Sequence, residues 1–182
     1  MALKATIYKA DVQVADMDRH YYQDHALTMA RHPSETEERL MVRLAAFLRN
    51  ADPALVFAKG LSDVEEPDLW EKDLTGAIDL WIEIGQPDER RILKACGRAR
   101  KVLVYSYGNT GLVWWSQIGN RVERANNLAV FHLSAATCAA LAGLANRNMQ
   151  LQCTIQDGLM WIASSSDTVQ VDMTTQKDLV VR

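Results

Sequence analysis

Apolar residues alternate at Leu3, Ala5 and Ile7 and then, one position out of step, at Ala10, Val12 and Val14. A period of two marks a half-buried strand, and the change of phase near Lys9 predicts a bend or bulge if one face is to stay buried. After a polar turn at Asp16 to Arg19, HALTMAR predicts the return arm of a hairpin. Ser34-Glu35-Thr36-Glu37 has a capping-box pattern, and Leu40, Met41, Leu44 and Leu48 follow at helical spacing, predicting a helix over about 35–49. Asp52-Pro53 ends it. ALVFAKG predicts a short buried strand, DVEEPDLW leads into a second, and AIDLWIEIG predicts a third after a turn at DLTG, together an antiparallel meander.

Pro87 suits a first helical residue; Asp88 and Glu89 favour the positive end of a helix, and Arg98, Arg100 and Lys101 the negative end. The strand KVLVYSYG that follows is expected parallel to the strand before the helix, because a crossover through a helix sets that direction. Further on, LVWWSQI and NLAVFHL predict strands, Ser134 caps an alanine-rich helix to about Asn146, and MQLQCTIQ-DG-LMWIAS predicts a hairpin at Asp157-Gly158. TVQVDM supplies a last strand. No repeat or linker divides the pattern, so one domain over 1–182 is expected.

Composition narrows the class. With 182 residues, 48% hydrophobic, the chain is long and apolar enough for a substantial core. The net charge of −3 gives no overall attraction to nucleic acid or an anionic membrane, so any such binding must be local. Cys96, Cys138 and Cys153 are odd in number, widely spaced and without a CxxC, which predicts reduced thiols and a cytoplasmic protein. No apolar run approaches the length of a membrane span, and the N-terminus lacks a signal-peptide core. P-loop, GxGxxG and GxSxG motifs are absent. His20, His25 and His32 fit no zinc spacing, and Trp70, Trp81, Trp114, Trp115 and Trp161 sit among apolar neighbours as core residues would.

The central order of helix, three strands, helix and strand, with Pro67-Asp68 and, fourteen residues on, Glu83-Ile84-Gly85, resembles the PD-(D/E)XK nuclease superfamily. SETEER, GAIDLWIEIGQPDERR, KACGRA and MQLQCTIQDG look like the YaeQ family, whose fold is a variation of that core. The resemblance implies an α+β (mixed α/β) fold with an αβββαβ nuclease-like core over about 34–107, an added N-terminal hairpin (1–33) and added C-terminal antiparallel strands (108–182). It implies a Mg-dependent nuclease or phosphodiesterase, with Mn as a substitute ion, or an inactive nuclease-fold module that binds nucleic acid or protein.

Geometry adds to this. Pairing through DLTG brings Asp68 and Glu83 to one end of the sheet, where they could share an ion whose oxygen ligands lie about 2.1 Å away. Asp79 lies roughly 13 Å from Glu83 along an extended strand, on the same face but out of reach of that ion unless a bulge intervenes; it is a catalytic candidate or the partner of a cation such as Arg43 or Lys72. By analogy Glu38 is the helix acid: on a helical wheel Glu37 falls near the middle of the apolar stripe, Glu38 at its edge and Glu35 on the opposite side. Hydrolysis needs the ion to activate water and usually a lysine near that water. Here the lysine position is Gly85, so Gln86, Arg91 or Lys94 would have to stand in, although Lys94 points away from the apolar stripe. Six positive charges fall between Arg90 and Lys101, of which Arg91, Lys94, Arg98 and Lys101 form one stripe suited either to a phosphate backbone or to plain solvation.

Overall fold

The computed structural model describes residues 4–180 and forms two compact units, the first made of residues up to Ala51 together with Ala136–Asp172, the second of Asp52–Ala135 with the segment from Met173 on. The fold is mixed α+β, with a five-stranded sheet in the first unit and a six-stranded sheet in the second.

In the first unit, β1 (Thr6–Asp16) pairs antiparallel with β2 (Tyr21–Arg31), residue for residue from Thr6↔Arg31 to Asp16↔Tyr21. The expected bulge near Lys9 is absent. Tyr8 is buried with Ala10, Val12 and Val14, so the even face carries the core along the whole strand, while Ile7 is 42% exposed; Leu3 lies outside the described residues. The other edge of β1 pairs in parallel with β8 (Asn148–Gln156), which turns back through β9 (Leu159–Ala163) to β10 (Thr168–Gln170), giving the order β10-β9-β8-β1-β2. Asp157 and Gly158 both have positive φ, as a two-residue hairpin turn requires, and both their amides donate to the carboxylate of Asp18 at 2.8 and 2.9 Å.

Helix α1 (Glu37–Arg49) is capped by Thr36, whose hydroxyl accepts from the Arg39 amide, and not by Ser34, which bonds His32. Glu37 and Glu38 are exposed. Glu35, expected to face away from the apolar stripe, is the buried acid: it lies just before the cap, outside the helical periodicity that a wheel assumes, and takes Arg43 on both oxygens at 3.0 and 2.9 Å.

The second unit begins with the expected meander of β3 (Leu55–Phe57), β4 (Leu69–Lys72) and β5 (Ile78–Ile84). Helix α2 (Glu89–Arg98) then crosses to β6 (Ala99–Tyr107), parallel to β5. Asp88 caps α2 by accepting from the Arg91 amide, so Pro87 stands outside the helix and its carbonyl accepts from Trp114 Nε1. LVWWSQI, expected as a strand, is part of helix α3 (Gly111–Val122). Trp114, Ile118 and Val122 recur every four residues and meet the core, and helical spacing prevails over the strand-like composition. A second parallel pairing, β6 with β7 (Leu128–Leu133), requires such a crossover. The terminal segment also differs from expectation. After β10 the chain adds β11 (Met173–Lys177), antiparallel on β7, completing the order β11-β7-β6-β5-β4-β3. One face of this sheet, with Trp81, Val102, Val104 and Val130, is covered by Ile92 and Ala95 of α2 and Trp114 and Val122 of α3. The alanine-rich helix α4 (Ala135–Ala142) is shorter than expected.

Candidate functional site

Asp68 precedes β4 and Glu83 is the next-to-last residue of β5. The pairing Leu69↔Ile82 and the bond from Asp68 N to Ile82 O place the two acids opposite each other at one end of the β4–β5 ladder. Both are buried. Asp68 Oδ2 accepts from the Ile84 amide at 2.9 Å, so a side chain closes the ladder where β4 has no further backbone to offer. Gly60 lies against the same carboxylate: a Cβ there would come within 2.6 Å of Asp68 Oδ1.

Glu83 is held by two donors, both on Oε1: Trp81 Nε1 at 2.9 Å and Arg91 Nε at 2.8 Å. Its second oxygen takes no hydrogen bond from the described residues. Burial raises the Glu83 pKa above the usual carboxylate range and neighbouring Asp68 adds to the rise, while Arg91 and the Trp81 N–H pull against it. The remaining Arg91 nitrogens donate to Val64 O at 2.6 Å and Glu66 O at 3.0 Å. One guanidinium thus ties the end of β5 to the 64–66 loop, using the fixed fork of donors that distinguishes arginine from lysine. Trp81 was legible as a partner, since two residues along a strand share a face; the two loop carbonyls carry no sequence signal.

Gly85 has φ +110°, and its amide continues the ladder to Tyr105 O at 2.9 Å. A side chain at that φ is strained even though the space is open, which gives a backbone reason for the missing lysine. Gln86 donates to Thr110 Oγ1 at 2.6 Å, joining the β5–α2 and β6–α3 connections at the C-terminal ends of the parallel strands.

The other candidates do not converge on the acid pair. Asp79 pairs with neither Arg43 nor Lys72 but with Arg100, its neighbour across β5 and β6, at 2.7 Å; the short contact is an ion pair without hydrogen-bond alignment. Lys94 is exposed and bonded to Glu65 at 2.9 Å, and Arg98 reaches the same residue while lying over the Trp81 ring. Of the stripe, Lys101 alone makes no ion pair among the described residues. Glu38 belongs to the first unit and the acid pair to the second. Sequence reasoning also missed Ser106 and His132, whose Oγ and Nδ1 are 2.9 Å apart on β6 and β7. Ser106 is fully buried and its hydroxyl also bonds Phe131 O, so the pair locks two strands rather than presenting a nucleophile.

Among the described residues no three His, Cys, Asp or Glu side chains form a metal-binding group. An ion here would rest on Asp68 and Glu83 with water completing its shell, an arrangement Mg²⁺ tolerates because it retains several waters.

A family model described as YaeQ protein matches residues 1–173. The chain belongs to the YaeQ family. A YaeQ protein of Escherichia coli strain K12 is 47% identical over 175 residues, covering 96% of this chain and 97% of its own. The crystal structure of YaeQ from Xanthomonas axonopodis pv. citri superposes with a TM-score of 0.92 at 45% identity, covering 95% of this chain and 98% of that one. The Pseudomonas syringae YaeQ structure gives 0.92 at 32% identity, over 96% and 97%. These YaeQ relatives span the same length as this chain, so the family fold is that of the whole chain and not of an isolated core. No helix among the described residues is long and apolar enough to cross a membrane.

Proposed function

We propose that this YaeQ protein keeps a PD-(D/E)XK-like sheet without its hydrolytic centre and works as a binding module. The observation that carries this is the seat of Arg91. Its guanidinium engages Glu83 and two loop carbonyls at the place where hydrolysis asks for a divalent cation free to meet a phosphate. The absent lysine agrees with it, the backbone at Gly85 being unsuited to any side chain. A protein partner fits better than a nucleic acid, because Arg91, Lys94 and Arg98 direct their charge to the 64–66 loop and to Glu83, while Leu112 and Val113 stand exposed side by side on α3.

A second reading has one specific support. Glu83 leaves an oxygen unbonded beside Asp68, and Mg²⁺ held by two carboxylates with Arg91 as the nearby cation would make a phosphodiesterase. Calorimetric titration with Mg²⁺ and Mn²⁺, followed by cleavage assays on single-stranded, duplex and branched DNA and on RNA, separates the two. The expected outcome is no carboxylate-dependent heat and no cleavage. Cleavage that disappears in both Asp68→Asn and Glu83→Gln would establish the hydrolytic reading instead.

A further inference from the structure

The solvated face of the first unit's sheet carries an unusual set of side chains. Asp11 and Gln13 of β1 stand opposite Gln150 and Gln152 of β8, and Asp24 of β2 stands opposite Gln13. A solvated strand face is ordinarily polar, but aspartate is depleted in strands. Here the two central strands carry amides and carboxylates in adjacent rows. The rows are also ordered: Gln150 Nε2 donates to Asp11 Oδ2 at 2.8 Å and Gln152 Nε2 to Gln13 Oε1 at 3.4 Å, which orients each planar group.

The face is hollow as well as polar. A cavity of about 640 Å³ lies over Asp11, Gln13, Asp24, Gln150 and Gln152, bounded at one end by Ser164 and Ser165 beyond β9. A smaller hollow of about 300 Å³, sharing Asp11 and Gln150, extends it towards Thr28 and Asn148. Trp161 is on the same face, opposite Thr154, one row beyond Gln152 and Ala163. From Lys9 to Gln13 the trough runs roughly 13 Å along the strand, enough for an extended ligand.

We propose that this trough binds a neutral, polyhydroxylated ligand, a short carbohydrate chain. Hydroxyl groups both donate and accept, and paired carboxamide and carboxylate groups offer both functions in one plane. The large cavity is lined by two carboxylates and no lysine or arginine, and Lys9 of the smaller hollow is one cation against Asp11 and Asp24, a balance that disfavours phosphate-bearing ligands, nucleic acid included. A cationic ligand is less well matched, because amides outnumber acids and Asp11 is already engaged by Gln150. The site is separate from the Asp68–Glu83 pair, so it stands or falls apart from the reading of that pair.

The test is an amide-resolved NMR titration of the full chain at millimolar concentrations of α-1,4- and β-1,4-linked tetrasaccharides of glucose and N-acetylglucosamine, with spermine and inorganic phosphate as comparison probes. At least one sugar is expected to shift the side-chain amide signals of Gln13, Gln150 and Gln152 saturably. The double variant Gln13→Ala, Gln152→Ala removes two neutral hydrogen-bonding groups from exposed positions and is expected to weaken that binding roughly tenfold with the fold intact by circular dichroism. The proposal fails if no tetrasaccharide shifts these signals, if the double variant binds as well as the parent, or if only spermine or phosphate produces a response.

Discussion

A single side chain, Glu83, records two opposed pressures. Burial and the neighbouring Asp68 favour its protonated form, and Arg91 with the Trp81 N–H favours the ionised one, with burial prevailing. Its folded-state pKa therefore stands above the unfolded value of 4.5. Between those two values the folded chain holds more protons than the unfolded one. The stabilisation from the bound proton is complete below about 4.5 and is lost as pH rises through the raised pKa. Glu83→Gln cannot titrate, so wild-type stability minus variant stability should decline from pH 4.5 to neutrality in urea unfolding curves; a rise over that interval would mean that Arg91 prevails over burial. That the two acids share one end of the ladder was legible from the DLTG turn and period-two alternation, but their exact opposition was not. The register shifts by one residue between Lys72↔Ile78 and Glu71↔Leu80, and without that bulge Asp68 would face Ile82. What those acids touch was not legible either, because Arg91 reaches them through a loop whose path no local pattern dictates. Gly85 was legible only as a departure from the motif; the positive φ that explains it is a property of the turn.

At the scale of elements, the buried Glu35–Arg43 pair fixes the entry to α1. Arg43 also donates to Ala30 O and Arg31 to Glu35 O, so the end of β2 and the start of the helix are held by one set of charge-assisted bonds. Removing one member strands a buried charge: Glu35→Leu should cost about 3–5 kcal/mol, and adding Arg43→Met should recover most of that loss. Thermal or urea denaturation of the two single variants and the double variant would show it, and equal losses in Glu35→Leu and the double variant would deny the coupling. This pair escaped sequence reasoning because Glu35 stands ahead of the cap, where a wheel does not apply. The helix α3 escaped it for another reason. Trp114 and Trp115 with Val113 have strand-like composition, and only the spacing of Trp114, Ile118 and Val122, or the demand of a parallel β6–β7 pair for a crossover, separates the two assignments. Strands β4 to β6 were legible because each carries its own turn or cap.

At the scale of the whole molecule, the chain passes between its two units after Ala51, after Ala135 and after Asp172, so neither unit is a continuous segment. The last passage delivers β11 to the edge of β7, where Lys177 also donates to the carbonyls of Ala125 and Leu128. Ending the chain after Asp172 would uncover β7, an apolar strand buried along its length, and the expected result is association into larger species measured by light scattering. A monodisperse truncated chain with unchanged stability would show that β11 is dispensable. These passages left no mark in the sequence, because nothing in TVQVDM or its continuation says that neighbouring short strands join different sheets. The central position of β1 has a consequence for synthesis. Its parallel partner is β8, and the bond between Gln150 and Asp11 spans 139 residues. At typical translation speeds the first hairpin emerges from the ribosome on the order of 10 s before the strand that covers its open side. Throughout that interval the open edge of the hairpin is a row of backbone amides and carbonyls paired only with water, a template on which another chain could add a strand.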